Sequence, residues 1–106
     1  MIIAPRIRGF ICTTAHPTGC RYLVDDQISR AETARMDGHG EPLSVLVIGG
    51  SSGYGLASRV TCAFAARSRT LSLSFEKEPT TDSTASAGWY NTRAFDERAT
   101  AAGLYA

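Results

Sequence analysis

The clearest change of pattern along this chain falls between residues 44 and 76, where an apolar run, a cluster of small residues, a helical period and an alternating segment follow in turn. Val45, Leu46, Val47 and Ile48 are continuously aliphatic, the pattern of a parallel strand covered on both faces. Leu56, Val60, Ala63 and Phe64 then recur at helical spacing and predict a helix with one apolar stripe. From Thr70 to Phe75, Leu71, Leu73 and Phe75 alternate with serines, which predicts a second strand with one wet face.

The flanks carry weaker patterns. Residues 1–20 predict an extended arm, with Ile2, Ile3, Ile7 and Ile11 packed on the sheet and Thr13 and Thr14 turning the chain back. Asp25 and Asp26 favour a helix start, Val24, Ile28 and Ala31 give that helix an apolar stripe, and Gly38 and Gly40 end it. Residues 77–87 are polar and predict a mobile surface loop, followed by Trp89 and Tyr90 as packing anchors. Asn91 is expected to cap a last helix, Thr92 to Ala102, with Phe95, Ala99 and Ala102 inward and Gly103 and Leu104 as its stop. With 106 residues and no internal repeat the chain is one domain at most, divided into an arm and helix (1–43), a βαβ unit (44–76) and a loop and helix (77–106).

The small residues between strand and helix carry the chemistry. In the spacing Gly49-x-x-x-Gly53-x-Gly55, the first glycine permits a sharp turn, the second lets a pyrophosphate approach the main chain, and the third lets the helix pack closely on the strand. Free N–H groups and the positive helix end then favour an anion. Glu76 follows Gly55 by about 20 residues, where a carboxylate can accept hydrogen bonds from an adenosine ribose and repel a 2'-phosphate. The expected cofactor is therefore NADH rather than NADPH. The glycine spacing departs from G-x-G-x-x-G, so an ordinary strand-to-helix turn, or a site for another nucleotide-like ligand such as S-adenosylmethionine, stays open. The fold class these elements define is α/β, a partial Rossmann-like parallel-sheet unit, similar to the short-chain dehydrogenases, with an N-terminal arm.

Charge and cysteines narrow the classes. The net charge is +1 and the ten arginines are scattered, which gives no basic field for nucleic acid. The longest apolar run is far too short to span a membrane, and the first residues lack the apolar core of a signal peptide, so a cytoplasmic location is expected. Three cysteines, Cys12, Cys20 and Cys62, contain no C-x-x-C pair and fit reduced thiols. Cys12, His16 and Cys20 are spaced four and four, with His39 as the one further ligand candidate, but Pro17 would disturb a helix carrying them, so no metal site is expected.

Several longer strings carry a resemblance. Met1 to Cys20, the stretch Val45-Leu46-Val47-Ile48-Gly49-Gly50-Ser51-Ser52-Gly53-Tyr54-Gly55-Leu56-Ala57-Ser58-Arg59, then Phe75-Glu76-Lys77, Ala87-Gly88-Trp89-Tyr90-Asn91 and Ala102-Gly103-Leu104-Tyr105-Ala106 resemble, in collinear order, the single-chain bacterial trans-2-enoyl-CoA and NADH-dependent enoyl-acyl-carrier-protein reductases. Residues 21–42 match poorly, and 78–86 are richer in Ser and Thr than the family pattern. The resemblance implies reduction of the carbon-carbon double bond of a trans-2-enoyl thioester, in fatty acid metabolism, with hydride from NADH. It also implies that Gly49, Gly50, Ser51, Ser52, Gly53 and Tyr54 hold the cofactor's phosphates, and Phe75 and Glu76 its adenosine end.

The family's catalytic Tyr and Lys have no counterpart here. Lys77 is the only lysine, and no tyrosine stands a few residues before it. No catalytic residue is therefore assigned, and the chain is expected to be the N-terminal, cofactor-binding portion of a longer enzyme, from a truncated or a split gene, inactive alone. A second chain could complete it, and enoyl thioester would be a partner only of the full-length enzyme. With two strands and unpaired edges, marginal stability or aggregation is expected. The alternative is a non-catalytic α/β module that binds a nucleotide or a partner chain.

Overall fold

A computed structural model describes residues 2–36 and 41–105. The chain opens with a small antiparallel hairpin, β1 (Ile7–Arg8) and β2 (Ile11–Cys12), in which Ile7 pairs with Cys12 and Arg8 with Ile11. Gly9, at φ 66°, makes the turn, so the chain reverses there and not at Thr13 and Thr14. Those threonines close the hairpin's base: Thr13 N–H donates to the Arg6 carbonyl at 2.7 Å, and the Thr14 hydroxyl accepts from Arg6 N–H at 3.2 Å. Ile2 and Ile7 do not pack on the sheet as expected, since they are 98% and 73% exposed; Ile3 is half-buried, and the expected packing of the Ile11 side chain lies outside what is described.

Helix α1 runs over Pro17–Thr33, eight residues upstream of the start expected at Asp25. Pro17 occupies the first helical position, where a missing N–H costs nothing, and the His16 ring nitrogen accepts from Gly19 N–H at 3.4 Å as the cap. Val24, Ile28 and Ala31 are buried as the stripe predicted. The helix ends at Thr33, and the stop expected at Gly38 and Gly40 lies outside the described residues.

Strand β3 (Ser44–Ile48) pairs in parallel with β4 (Arg69–Leu73), in register from Ser44 with Arg69 to Ile48 with Leu73. Between them lies helix α2 (Gly53–Val60), which runs on into a wider, π-helical turn at Thr61–Ala65. Leu56, Val60, Ala63 and Phe64 all face the core. Helix α3 spans Ala87–Ala101, with Ser86 at its N-cap position. It begins five residues before the start expected at Thr92, which places Asn91 inside the helix and leaves it no capping role. Phe95 and Ala99 are buried as expected, Ala102 is exposed, and Gly103, at φ 71°, ends the helix.

Helix α2 and its π-helical turn lie against the two strands, α1 packs on α2 and α3, and the helices form a single core with Phe64 and Phe95 at its centre. The two rings meet edge to face at 5.7 Å, worth about 0.5–1.5 kcal/mol beyond their buried area. Arg98 of α3 pairs with Asp25 of α1 at 2.8 Å, and Arg21 pairs with Glu97, which fixes the register of the two helices more than it adds stability.

The other face of the sheet is open. Leu46, Ile48, Leu71 and Leu73 are between 50% and 80% exposed, so β3 is covered on one face only, contrary to its expected burial on both. In β4 the polar residues point inward: Thr70 is 1% exposed, while the leucines face out. This inverts the simplest reading of the alternation. Its cause lies in another element, because Arg59 of α2 is buried against the strand and its Nε donates to the Thr70 hydroxyl at 3.3 Å.

Candidate functional site

Both parallel strands end at the same edge, and the ligand crevice of open α/β sheets lies outside such carboxyl ends. Gly49 N–H extends the ladder by donating to the Leu73 carbonyl at 2.7 Å, and Gly49 then turns at φ 82°. Gly53, at φ 54°, opens α2. Two further glycines are required by space. A Cβ on Gly55 would collide with the Gly49 carbonyl, and one on Gly50 would meet the side chain of Ser72. Ser72 Oγ is buried without a hydrogen-bond partner, pressed beneath the turn. The turn is thus built by close main-chain approach, and it leaves the α2 N-terminus uncapped by any side chain of Ser52. The first N–H groups of a helix have no partner within it, so the end of α2 carries anion-binding character.

The side chains of the turn divide by direction. Ser51 is buried, whereas Ser52 is exposed and Tyr54 is 94% exposed. Ser51 Oγ donates to Glu76 Oε1, and Ser86 Oγ donates to Glu76 Oε2. The half-buried carboxylate of Glu76 therefore joins the glycine turn to the start of α3. Ser86 Oγ also accepts from Lys77 N–H at 3.2 Å, and Asn91 Nδ2 donates to the Ser51 carbonyl at 3.0 Å. Gly88 completes the packing, because a Cβ there would strike the Glu76 carboxylate and lie 2.7 Å from Ser51 Oγ.

Of the residues expected at the site, Gly49 to Ser52 form the turn, Gly53 and Tyr54 open α2 directly after it, and Glu76 is in direct contact with the turn through Ser51. Phe75 lies just past β4 and is 93% exposed. Each carboxylate oxygen keeps a lone pair beyond the one its serine uses, so Glu76 can still accept a ribose hydroxyl. Glycines that a Cβ would disrupt, an uncapped helix start and a carboxylate beside them fit a dinucleotide's diphosphate and ribose.

Sequence reasoning gave Ser86, Gly88 and Asn91 no part here. The only signal for Gly88 and Asn91 was the resemblance carried by the string Ala87 to Asn91, and Ser86 had none, because the contacts with Ser51 and Glu76 cross between 10 and 40 residues of chain.

The loop from Lys77 is anchored more firmly at its end than at its tip. Ala85 is buried, and its N–H donates to the Tyr90 hydroxyl at 3.0 Å. Trp89 and Tyr90 pack edge to face at 5.4 Å. Among the described residues no three His, Cys, Asp or Glu side chains converge as metal ligands, and His39 lies outside them. Cys12 is exposed, with its pKa lowered first by the Thr14 hydroxyl and then by the Thr14 backbone, whereas burial raises that of Cys20. No helix among the described residues is long and apolar enough to cross a membrane.

A parallel strand-turn-helix-strand unit with its glycines at the strand end is the architecture of nucleotide-binding α/β proteins. Residues 2–81 match the family described as the NAD(P)H binding domain of trans-2-enoyl-CoA reductase, and the chain belongs to that family. It is 55% identical over 108 residues to an enoyl-acyl-carrier-protein reductase [NADH] of Colwellia psychrerythraea, covering 100% of this chain and 26% of that protein. A reductase of the same name from Xanthomonas axonopodis is 57% identical, covering 99% and 26%. Among solved structures, the Treponema denticola trans-2-enoyl-CoA reductase in complex with NAD superposes with a TM-score of 0.90 at 45% identity, over 99% of this chain and 27% of that one. The chain thus spans about a quarter of the length of these relatives.

Proposed function

We propose that this chain is the NADH-binding portion of an enzyme that reduces the carbon-carbon double bond of trans-2-enoyl thioesters, carried by coenzyme A or by acyl-carrier protein. The observation that carries the reading is the match of residues 2–81 to an NAD(P)H binding domain, whose glycine turn in this fold has no room for a Cβ at Gly50 or Gly55. NADH, when bound, supplies the hydride. The chain's own residues bind and orient it. Main-chain N–H groups of Gly49, Gly50, Ser51, Ser52, Gly53 and Tyr54 hold the diphosphate, while Phe75 and Glu76 receive the adenosine end. The negative charge of Glu76 disfavours a 2'-phosphate, hence NADH over NADPH.

This reading assigns no catalytic residue to the chain, whose only lysine is Lys77. The thioester and the proton-handling groups belong to the complete enzyme, and a cytoplasmic location, without nucleic acid or membrane as partner, goes with it. The purified chain is expected to bind NADH saturably, followed by cofactor fluorescence, yet to show no steady NADH oxidation with crotonyl-CoA. Turnover by the chain alone would refute the division of labour, and absence of binding by folded chain would refute the cofactor role. A second reading, a non-catalytic module that docks on another polypeptide, is favoured by the open apolar face of the sheet at Leu46, Ile48, Leu71 and Leu73. A second chain carrying the Tyr and Lys would unite the two.

A further inference from the structure

We propose that Ser51 and Ser86 are positioning residues that set cofactor discrimination by holding the Glu76 carboxylate in one orientation between the glycine turn and helix α3. The inference rests on the NADH-binding reading above and concerns how that site distinguishes NADH from NADPH. Each carboxylate oxygen takes a different serine, Oε1 the hydroxyl of Ser51 and Oε2 that of Ser86. A carboxylate held by two donors from two elements cannot rotate without breaking a charge-assisted hydrogen bond. The donors are themselves fixed. Asn91 Nδ2 holds the Ser51 carbonyl at 3.0 Å, and Ser86 Oγ accepts from Lys77 N–H at 3.2 Å while Ser86 N–H donates to the Lys77 carbonyl at 3.2 Å. Gly88 leaves room for the carboxylate where any Cβ would strike it. Neither serine hydroxyl needs to touch the cofactor, and alanine at either position keeps the main-chain N–H. Each aims the charge that a 2'-phosphate must meet, and each leaves a carboxylate lone pair for a ribose hydroxyl.

Freed from Ser86, Glu76 could swing toward solvent, and both its attraction for the ribose and its repulsion of a phosphate would fall together. Dissociation constants for NADH and NADPH, measured on the folded full chain and on Ser51→Ala, Ser86→Ala and Ser86→Thr, test this. The ratio of NADPH to NADH constants is expected to drop about tenfold in each alanine variant, the scale of one lost hydrogen bond to a charged group, and to return in Ser86→Thr, which keeps the hydroxyl. Loss of scaffold stability alone would weaken both cofactors in parallel and leave the ratio unchanged, and that result overturns the proposal. Folding of each variant is checked by its melting transition, and an alanine variant that fails to melt cooperatively is replaced by Ser→Cys at the same position, for which the same drop is expected. A wild-type chain that binds NADH and NADPH equally overturns this inference alone. One that binds neither overturns the cofactor reading with it.

Discussion

The guanidinium carbon of Arg59 lies 4.0 Å from the centre of the Phe95 ring, which joins α2 to α3 through a charge that is almost wholly buried. Asp96 stands 3.6 Å from the same guanidinium, with about half of its own side chain exposed. Burial lowers the pKa of Arg59, against the opposing effect of Asp96, and burial raises that of Asp96, against the opposing effect of Arg59. An acid whose folded pKa is raised contributes stability that is complete below its unfolded value, near 3.8, and is lost as pH rises through the folded value. Asp96→Asn mimics the protonated form. Its stability advantage over the wild-type chain is expected to grow as pH rises from about 3.5 to 6, modestly because the carboxylate is half exposed, in paired urea titrations. An advantage that shrinks over that window would contradict the sign.

Gly55 and the Gly49 carbonyl leave no room for a methyl group. Gly55→Ala is expected to cost about 1–3 kcal/mol by forced displacement of the turn and to abolish measurable NADH binding. Thermal denaturation and cofactor fluorescence check the two parts separately.

The exposed leucines of β4 make a different prediction. Leu71→Thr and Leu73→Thr should change stability by less than about 0.5 kcal/mol while raising the solubility limit, because the side chains already face water. Phe64→Ala, at the centre of the core, should cost about 3–5 kcal/mol. Denaturant midpoints and light scattering distinguish the two faces.

Arg67 adopts φ 55° just after the π-helical turn, a conformation that disfavours any side chain with a Cβ. Arg67→Gly is expected to stabilise the chain by about 1 kcal/mol, the relief of the left-handed backbone less the added freedom of the unfolded state. A rise in melting temperature checks it.

Legibility in the sequence followed the range of the forces involved. The aliphatic run Val45 to Ile48 and the stripe Leu56, Val60, Ala63 and Phe64 are local periodicities, and both strand and helix lie where they point. Glycine positions in the turn were equally readable, since backbone geometry is set within a few residues. Helix starts were read less well. Pro17 looked like a breaker but sits at the one position where proline is favoured, and Asp25–Asp26 and Asn91 were mistaken for starts although they lie within helices. The inward face of β4 could not be read from β4 alone, because the buried Arg59 that needs Thr70 belongs to another element. The same distance hid the contacts of Ser86, Gly88 and Asn91 with the site.

Selectivity of the glycine turn and Glu76 for NADH is what the proposed function requires. Calorimetric titration of the folded wild-type chain with NADH and then with NADPH is expected to give a saturable heat with NADH and binding at least about tenfold weaker with NADPH. No heat with NADH, or NADPH binding as tight, would contradict it.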